Sequence, residues 1–180
     1  LGPVAAARGR TVEWVMRGRL AARPQLDYPD MTAGVFRLPG DVSSQFVSGL
    51  LFALPLLAGD SEIALTTPLA SRGYVDMTLD VLRAYGIAVA ETPRGFRVPG
   101  RQAYRAPAEG PIIETDWSGA AFGLALVHLG NDITFPEAAR RGLSPASSQP
   151  DRVIGAHLGV LAAPGPVTLD VDACPDIFPV

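Results

Sequence analysis

The stretch Gly40-Asp41-Val42-Ser43-Ser44-Gln45-Phe46 stands where a short apolar segment gives way to a long one, and its chemistry is that of a helix entrance. Before it, Val35-Phe36-Arg37-Leu38 alternates as a strand and closes at Pro39-Gly40. After it, Asp41 to Leu57 reads as a helix, with Phe46, Leu50, Leu54 and Leu57 recurring at helical steps. At such an entrance about four backbone N–H groups lack intrahelical acceptors, and the helix dipole is positive. Ser43 and Ser44 add hydroxyl donors there, and Gln45 adds a group that both donates and accepts. Local physics leaves two roles open, a plain N-cap or a seat for a phosphate or carboxylate.

Working outward, Ile63 and Leu65 alternate with polar or small neighbours as a strand after Gly59-Asp60. A second helix spans Tyr74 to Tyr85, with Val75, Leu79 and Leu82 on one face and Gly86 as its left-handed cap. Two short strands follow, Ile87 to Ala90 and Phe96 to Val98, joined through Thr92-Pro93-Arg94-Gly95. Upstream, residues 11 to 18 read as a strand and 23 to 30 as a loop. Downstream the same grammar restarts. Ile112 to Glu114 reads as a strand, Trp117 to Leu129 as a helix capped by Gly130, and Ile133 to Phe135 as a strand. A helix from about Asp151 to Leu161 and a strand from Val167 to Val171 complete it.

Subtraction exposes an internal repeat. Asp41 and Asp116 are 75 residues apart, as are Asp76 and Asp151, and Ser43 and Ser118 keep the same offset. Each aspartate is expected at or just before a helix start, where its charge complements the dipole. The expected fold class is α/β (α+β), built from repeated β-α-β-α-β-β units of about 75 residues. Asp176, preceded by Pro175, would open a further helix in the same way.

Composition narrows the function classes. Of 180 residues, 48% are hydrophobic and 18% charged, which excludes intrinsic disorder. A net charge of −3 offers no basic field for a nucleic-acid backbone. The single cysteine, Cys174, excludes an internal disulfide, and His128 and His157 stand far apart, as expected of core-edge packing residues. All 15 basic residues are arginine, so lysine chemistry is closed to this chain. The longest apolar run, Phe46 to Ala58, has 13 residues, short of the roughly 20 a membrane span needs. Trp14 and Trp117 read as packing residues. With no methionine at Leu1 and a new segment opening near Val180, the chain is expected to be an internal fragment of a longer protein.

The opening stretch resembles the Gly-x-Val-Ser-Ser-Gln-Phe segment of the 5-enolpyruvylshikimate-3-phosphate synthase family, the enolpyruvyl transferases of the shikimate pathway. Pro68 to Thr78 is similar to that family's Leu-Val-Ser-Lys-Pro-Tyr-Ile-Asp-Ile-Thr, and Glu114 to Phe122 to its Glu-Gly-Asp-(Trp/Ala)-Ser-Ser-Ala-x-(Tyr/Phe). Ser147-Ser148-Gln149-Pro150-Asp151 is similar to Ser-x-Gln-Gly-Asp, and Cys174-Pro175-Asp176 to an x-Pro-Asp before a core helix. The chain departs from the pattern where Arg72-Gly73 replaces Lys-Pro, Gly119 a serine and Pro150 a glycine.

The resemblance implies two globular halves of three β-α-β-α-β-β units each, with parallel helices pointing their N-termini toward an interdomain cleft. Residues 1–149 would be the second and third units of the shikimate-phosphate-binding half, and 150–180 the truncated start of the other half. Ser43 and Ser44 would take phosphate oxygens of shikimate 3-phosphate. Gln45 would contact that substrate and lie near phosphoenolpyruvate. Ser71 would bind the same phosphate and Tyr74 would border the ring. Asp176 would bind ring hydroxyls and accept the proton from the attacking one. No cofactor, metal, nucleic acid or membrane is implied; the partners are the two small substrates, and the whole enzyme is expected to be a cytoplasmic monomer. The family's Lys and Arg groups that grip phosphoenolpyruvate, and its Lys-Glu acid–base pair, are not in this chain, so the chain alone is expected to be inactive. Two alternatives are the sister transferase acting on UDP-N-acetylglucosamine, which lacks the Ser-Ser-Gln and Ser-x-x-Tyr pairing, and a non-catalytic binding module on the same repeat. An RNA-end-processing relative is disfavoured by the negative charge.

Overall fold

Parallel strands cannot be joined by a tight turn, so the chain between them must cross a face of the sheet. That constraint shapes the first part of the molecule. The computed structural model describes residues 31–110 and 113–180. Every element below belongs to the compact unit Thr32–Val180.

Strand β1 (Val35–Leu38) pairs in parallel with β2 (Ser61–Leu65), Val35 opposite Glu62 and Leu38 opposite Leu65. Helix α1 (Ser44–Ala53) and a 3₁₀ turn (Leu54–Leu56) make the crossover. Helix α2 (Arg72–Ala84) then leads to the hairpin β3 (Ala90–Thr92) and β4 (Gly95–Val98), whose turn is Pro93-Arg94. Antiparallel pairing of β4 with both β2 and β3 gives the sheet order β1-β2-β4-β3. Over residues 35–98 the elements therefore run β-α-β-α-β-β. The strand expected at Ile87 starts three residues later, at Ala90, because Leu82 and Gln102 take the polar groups of Ile87 and Ala88.

Helix α2 buries Val75, Leu79 and Leu82, the face its spacing predicts, and stops at Gly86 with φ +77°. Helix α1 differs. It buries Val47 and Leu51, one residue round from the expected Phe46 and Leu50, and leaves Phe46 57% exposed, while Leu54, just past its end, is buried as the spacing predicts. The helix is apolar on several faces, so spacing alone does not choose between them; packing against α2 does. The contact is partly polar. Ser48 Oγ lies 2.8 Å from Thr78 Oγ1, and Thr78 Oγ1 donates to the Tyr74 carbonyl at 3.0 Å, which makes Ser48 the donor between the helices.

The remainder is helical. Helix α3 (Trp117–His128) ends before Gly130, at φ +84°. Helix α4 (Glu137–Gly142) follows, its acidic start and basic end matching the dipole and Arg141 pairing with Glu137. A 3₁₀ turn (Pro150–Val153) runs into α5 (Ile154–Leu161), and a last 3₁₀ turn covers Pro175–Ile177. Ala121, Ile154, Cys174 and Ile177 form their shared core, with Trp117 packed against it as expected. The strands expected at 112–114, 133–135 and 167–171 are absent among the described residues: a strand needs a neighbour to satisfy its backbone, and no described residue pairs with these segments. Ile112, the strand at 11–18 and the loop at 23–30 fall outside the described residues.

The buried stripe of α1 can be checked directly. Leu51→Ala should cost about 3 kcal/mol of stability in urea unfolding, and Phe46→Ala less than about 1 kcal/mol.

Candidate functional site

Two loops carry the polar residues, and a threonine ties them. Thr67 Oγ1 accepts from the Gly40 and Asp41 amides at 2.8 and 3.2 Å and donates to Asp41 Oδ1 at 2.7 Å. The Ala70 amide donates to the Gly40 carbonyl at 3.0 Å, which seats the start of α1 beside the start of α2. Gly40 permits this approach, because a Cβ there would meet the Pro68 and Thr67 carbonyl oxygens at 2.8 Å. Asp41 therefore serves as a tie between loops and precedes the cap of α1.

The cap itself is Ser43, whose Oγ accepts from the Gln45 amide at 3.2 Å. That bond uses a lone pair and leaves the hydroxyl proton for another acceptor. Ser44 is buried in the first turn and Gln45 is exposed. At the second entrance Ser71 sits in the left-handed region, φ 50° and ψ 44°, a conformation that costs a non-glycine residue about 1–2 kcal/mol. Its hydroxyl turns away from the helix and makes a long 3.5 Å contact to the Asp172 carbonyl. Asp76, expected at a helix start, lies inside α2 and pairs with Arg72 at 2.7 Å. A depression of about 450 Å³ beside this entrance is lined by Thr66, Thr67, Arg72, Glu91 and Arg94 among others, but by none of the predicted site residues.

Tyr74 is half-buried, and its hydroxyl donates to Asp151, at 2.9 Å to Oδ1 and 3.1 Å to Oδ2. Burial, this hydrogen bond and the Asp151 charge hold the phenol far above its ordinary range. The Asp176 charge pushes the same way, while its backbone amide opposes it, so the exposed Asp176 lies within electrostatic reach of Tyr74. Ser118 Oγ donates to Asp151 Oδ2 at 2.8 Å. Asp116 caps α3, accepting from the Ser118 and Gly119 amides at 3.2 and 2.9 Å. Nearby, Glu114 accepts from Ser147 at 2.5 Å and from Gln149 at 3.1 Å, while Gln149 Oε1 receives the Trp117 amide at 2.8 Å. The segments 114–122 and 147–151, distant in sequence, thus interlock. Burial raises the Cys174 thiol above its usual range, in keeping with an unactivated cysteine.

Ser71, Tyr74 and Asp176 are brought together, and Ser43, Ser44 and Gln45 stand at the adjoining entrance. The residues that sequence reading missed are Asp151 and Ser118. Both lie inside motifs quoted above, but Asp151 is 77 positions from its partner Tyr74 and 33 from its partner Ser118, beyond the reach of any local pattern. Among the described residues no group of three His, Cys, Asp or Glu side chains gathers as metal ligands, and no helix is long and apolar enough to cross a membrane.

A mixed sheet covered by crossover helices, with helix entrances gathered on hydroxyls and carboxylates, defines an α/β protein whose polar site is built from helix starts. Residues 20–149 match the family described as EPSP synthase (3-phosphoshikimate 1-carboxyvinyltransferase). A Clostridium kluyveri protein named 3-phosphoshikimate 1-carboxyvinyltransferase is 36% identical over 217 aligned residues, covering 99% of this chain and 49% of its own length. Proteins of the same name from Clostridium acetobutylicum and Methanocorpusculum labreanum are each 36% identical over 83% of this chain and 37% of theirs. The chain belongs to the EPSP synthase family. It spans about half or less of the length of these curated relatives.

The two departures from the family pattern at positions 73 and 150 meet in space: a Cβ on Gly73 would lie 2.6 Å from Pro150 Cγ. Glycine and proline have exchanged places across one contact. Gly73→Ala should destabilise the chain by about 1–2 kcal/mol, and Pro150→Gly in the same chain should recover most of that loss, a coupling that thermal unfolding of the three variants measures.

The raised phenol has a second consequence. A group more fully protonated when folded than when unfolded stabilises the fold below its unfolded value, about 10 for tyrosine, and loses that contribution as pH rises further. Stability should therefore fall above about pH 10, and Tyr74→Phe should reduce that slope; unfolding compared at pH 8 and pH 11 tests it.

Proposed function

We propose that this chain is part of an enolpyruvyl transferase that moves the enolpyruvyl group of phosphoenolpyruvate to shikimate 3-phosphate, in the shikimate pathway of aromatic amino acid biosynthesis. The observation that carries the reading is the convergence of Ser71, Tyr74 and Asp176 beside the Ser43-capped entrance of α1. These are the positions that the family motifs single out. The relatives' shared name supports the same reaction.

The chemistry fits these residue types. A ring hydroxyl adds to the substituted alkene carbon of phosphoenolpyruvate while a proton goes to the methylene, and the tetrahedral intermediate then expels phosphate. The exposed Asp176 carboxylate takes the hydroxyl proton. Ser43, Ser44 and Ser71, with the backbone amides at the two helix entrances, hold the phosphate of shikimate 3-phosphate. Gln45, exposed at the mouth of α1, reaches toward phosphoenolpyruvate, and Tyr74 borders the ring. On the resemblance, the proton donor to the methylene and the cations that hold phosphoenolpyruvate belong to family motifs that no stretch of this chain matches.

On this reading residues 1–149 are the second and third β-α-β-α-β-β units of one half, with α3 and α4 in the third, residues 150–180 begin the other half, and the helix N-termini face an interdomain cleft of a cytoplasmic, monomeric enzyme. Titration calorimetry tests the site. Shikimate 3-phosphate should bind weakly, shikimate at least tenfold more weakly, and Ser43→Ala with Ser44→Ala should abolish the difference. Equal affinity for the two ligands would sink the assignment. The chain by itself should release no phosphate from the two substrates.

A further inference from the structure

Among the described residues Asp151 is the only buried side chain that carries a formal charge, at 2% exposure, and the reaction above makes no use of it. Among the described residues no arginine pairs with it, and its hydrogen-bond partners there are the hydroxyls of Tyr74 and Ser118. An ionised carboxylate only accepts, so the protons in these bonds come from the tyrosine and the serine. A phenol has one proton to give. Once Asp151 holds it, the Tyr74 oxygen presents only lone pairs to anything else.

We propose that Asp151 is a positioning residue that captures the Tyr74 hydroxyl proton and so fixes the Tyr74 oxygen as a hydrogen-bond acceptor, selecting a ligand group that donates, such as a ring hydroxyl, over one that only accepts, such as an ionised phosphate. The identity of the ligand rests on the function proposed above; the bond between Asp151 and Tyr74 does not. The neighbouring charges reinforce this polarity. The charges of Asp151 and Asp176 both act at the Tyr74 hydroxyl, so its oxygen repels a phosphate and leaves that group to Ser43, Ser44 and Ser71. Cys174, the other titratable group near Asp151, is buried and neutral. Ser118 holds the second carboxylate oxygen and stops the acid from turning away from the tyrosine.

Absorbance titration of the phenols decides the first part without any ligand. The Tyr74 signal, defined by its loss in Tyr74→Phe, should stay un-ionised to about pH 12 in the unsubstituted chain and titrate at least one pH unit lower in Asp151→Asn. An unchanged titration would overturn the proposal. If Asp151→Asn does not fold, proton NMR of the unsubstituted chain replaces it: a slowly exchanging hydroxyl proton that vanishes in Tyr74→Phe supports the bond, and its absence overturns it. The second part is read by calorimetry. Asp151→Asn and Tyr74→Phe should each weaken shikimate 3-phosphate about fivefold, the double variant no further, and inorganic phosphate should be unaffected. Additive losses, or an equal loss for inorganic phosphate, would show Asp151 to be merely structural. Failure of the unsubstituted chain to bind shikimate 3-phosphate would refute the proposed function, while the phenol titration would still decide the role of Asp151.

Discussion

Removing the Asp151 carboxylate from water costs several kcal/mol unless its lone pairs are met, and the way they are met sets where three helices begin. Tyr74 reaches it from the first turn of α2, Ser118 from the first turn of α3, and Asp151 itself lies in the turn that opens α5. Helix starts carry partial positive charge, so their gathering around one buried anion is electrostatically favourable as well as sterically close. The link between Glu114, Ser147 and Gln149 and the contact of Gly73 with Pro150 brace the same junction.

The junction also explains the character of the site. Its donors are hydroxyls and backbone amides, and its nearest charges are carboxylates; Arg72, the closest cation on α2, is already engaged by Asp76 and Glu91. Such a surface orients a ligand by hydrogen bonding and depends on cations elsewhere to neutralise it. In a family whose members are about twice the length of this chain, that division of labour is physically reasonable. The strained backbone of Ser71 belongs to the same picture, a hydroxyl held in an unfavourable conformation by the packing of the loops on either side.

Equal spacing proved a poor guide to equal role. Asp41 and Asp116 share an offset with Asp76 and Asp151, yet the four do four different things: a loop tie, a helix cap, an exposed ion pair and a buried acceptor. A side chain's chemistry follows from its neighbours, and neighbours across more than a few turns of chain are invisible to local pattern. The stripe of α1 shows the converse problem. Where apolar residues surround a helix, several registers satisfy the same periodicity, and only the partner helix selects one.

The order of strand and helix from 35 to 98, the stops at Gly86 and Gly130 and the buried face of α2 were all legible in the chain, because each depends on dihedral preferences and spacing within a turn or two. The family was legible for a similar reason, as its motifs are contiguous. Whether Ile133–Phe135 and Val167–Val171 become strands, which side of α1 is buried, and which carboxylate restrains Tyr74 were settled only in three dimensions. Backbone pairing, side-chain packing and the satisfaction of a buried charge all require a partner that folding, and not adjacency, supplies.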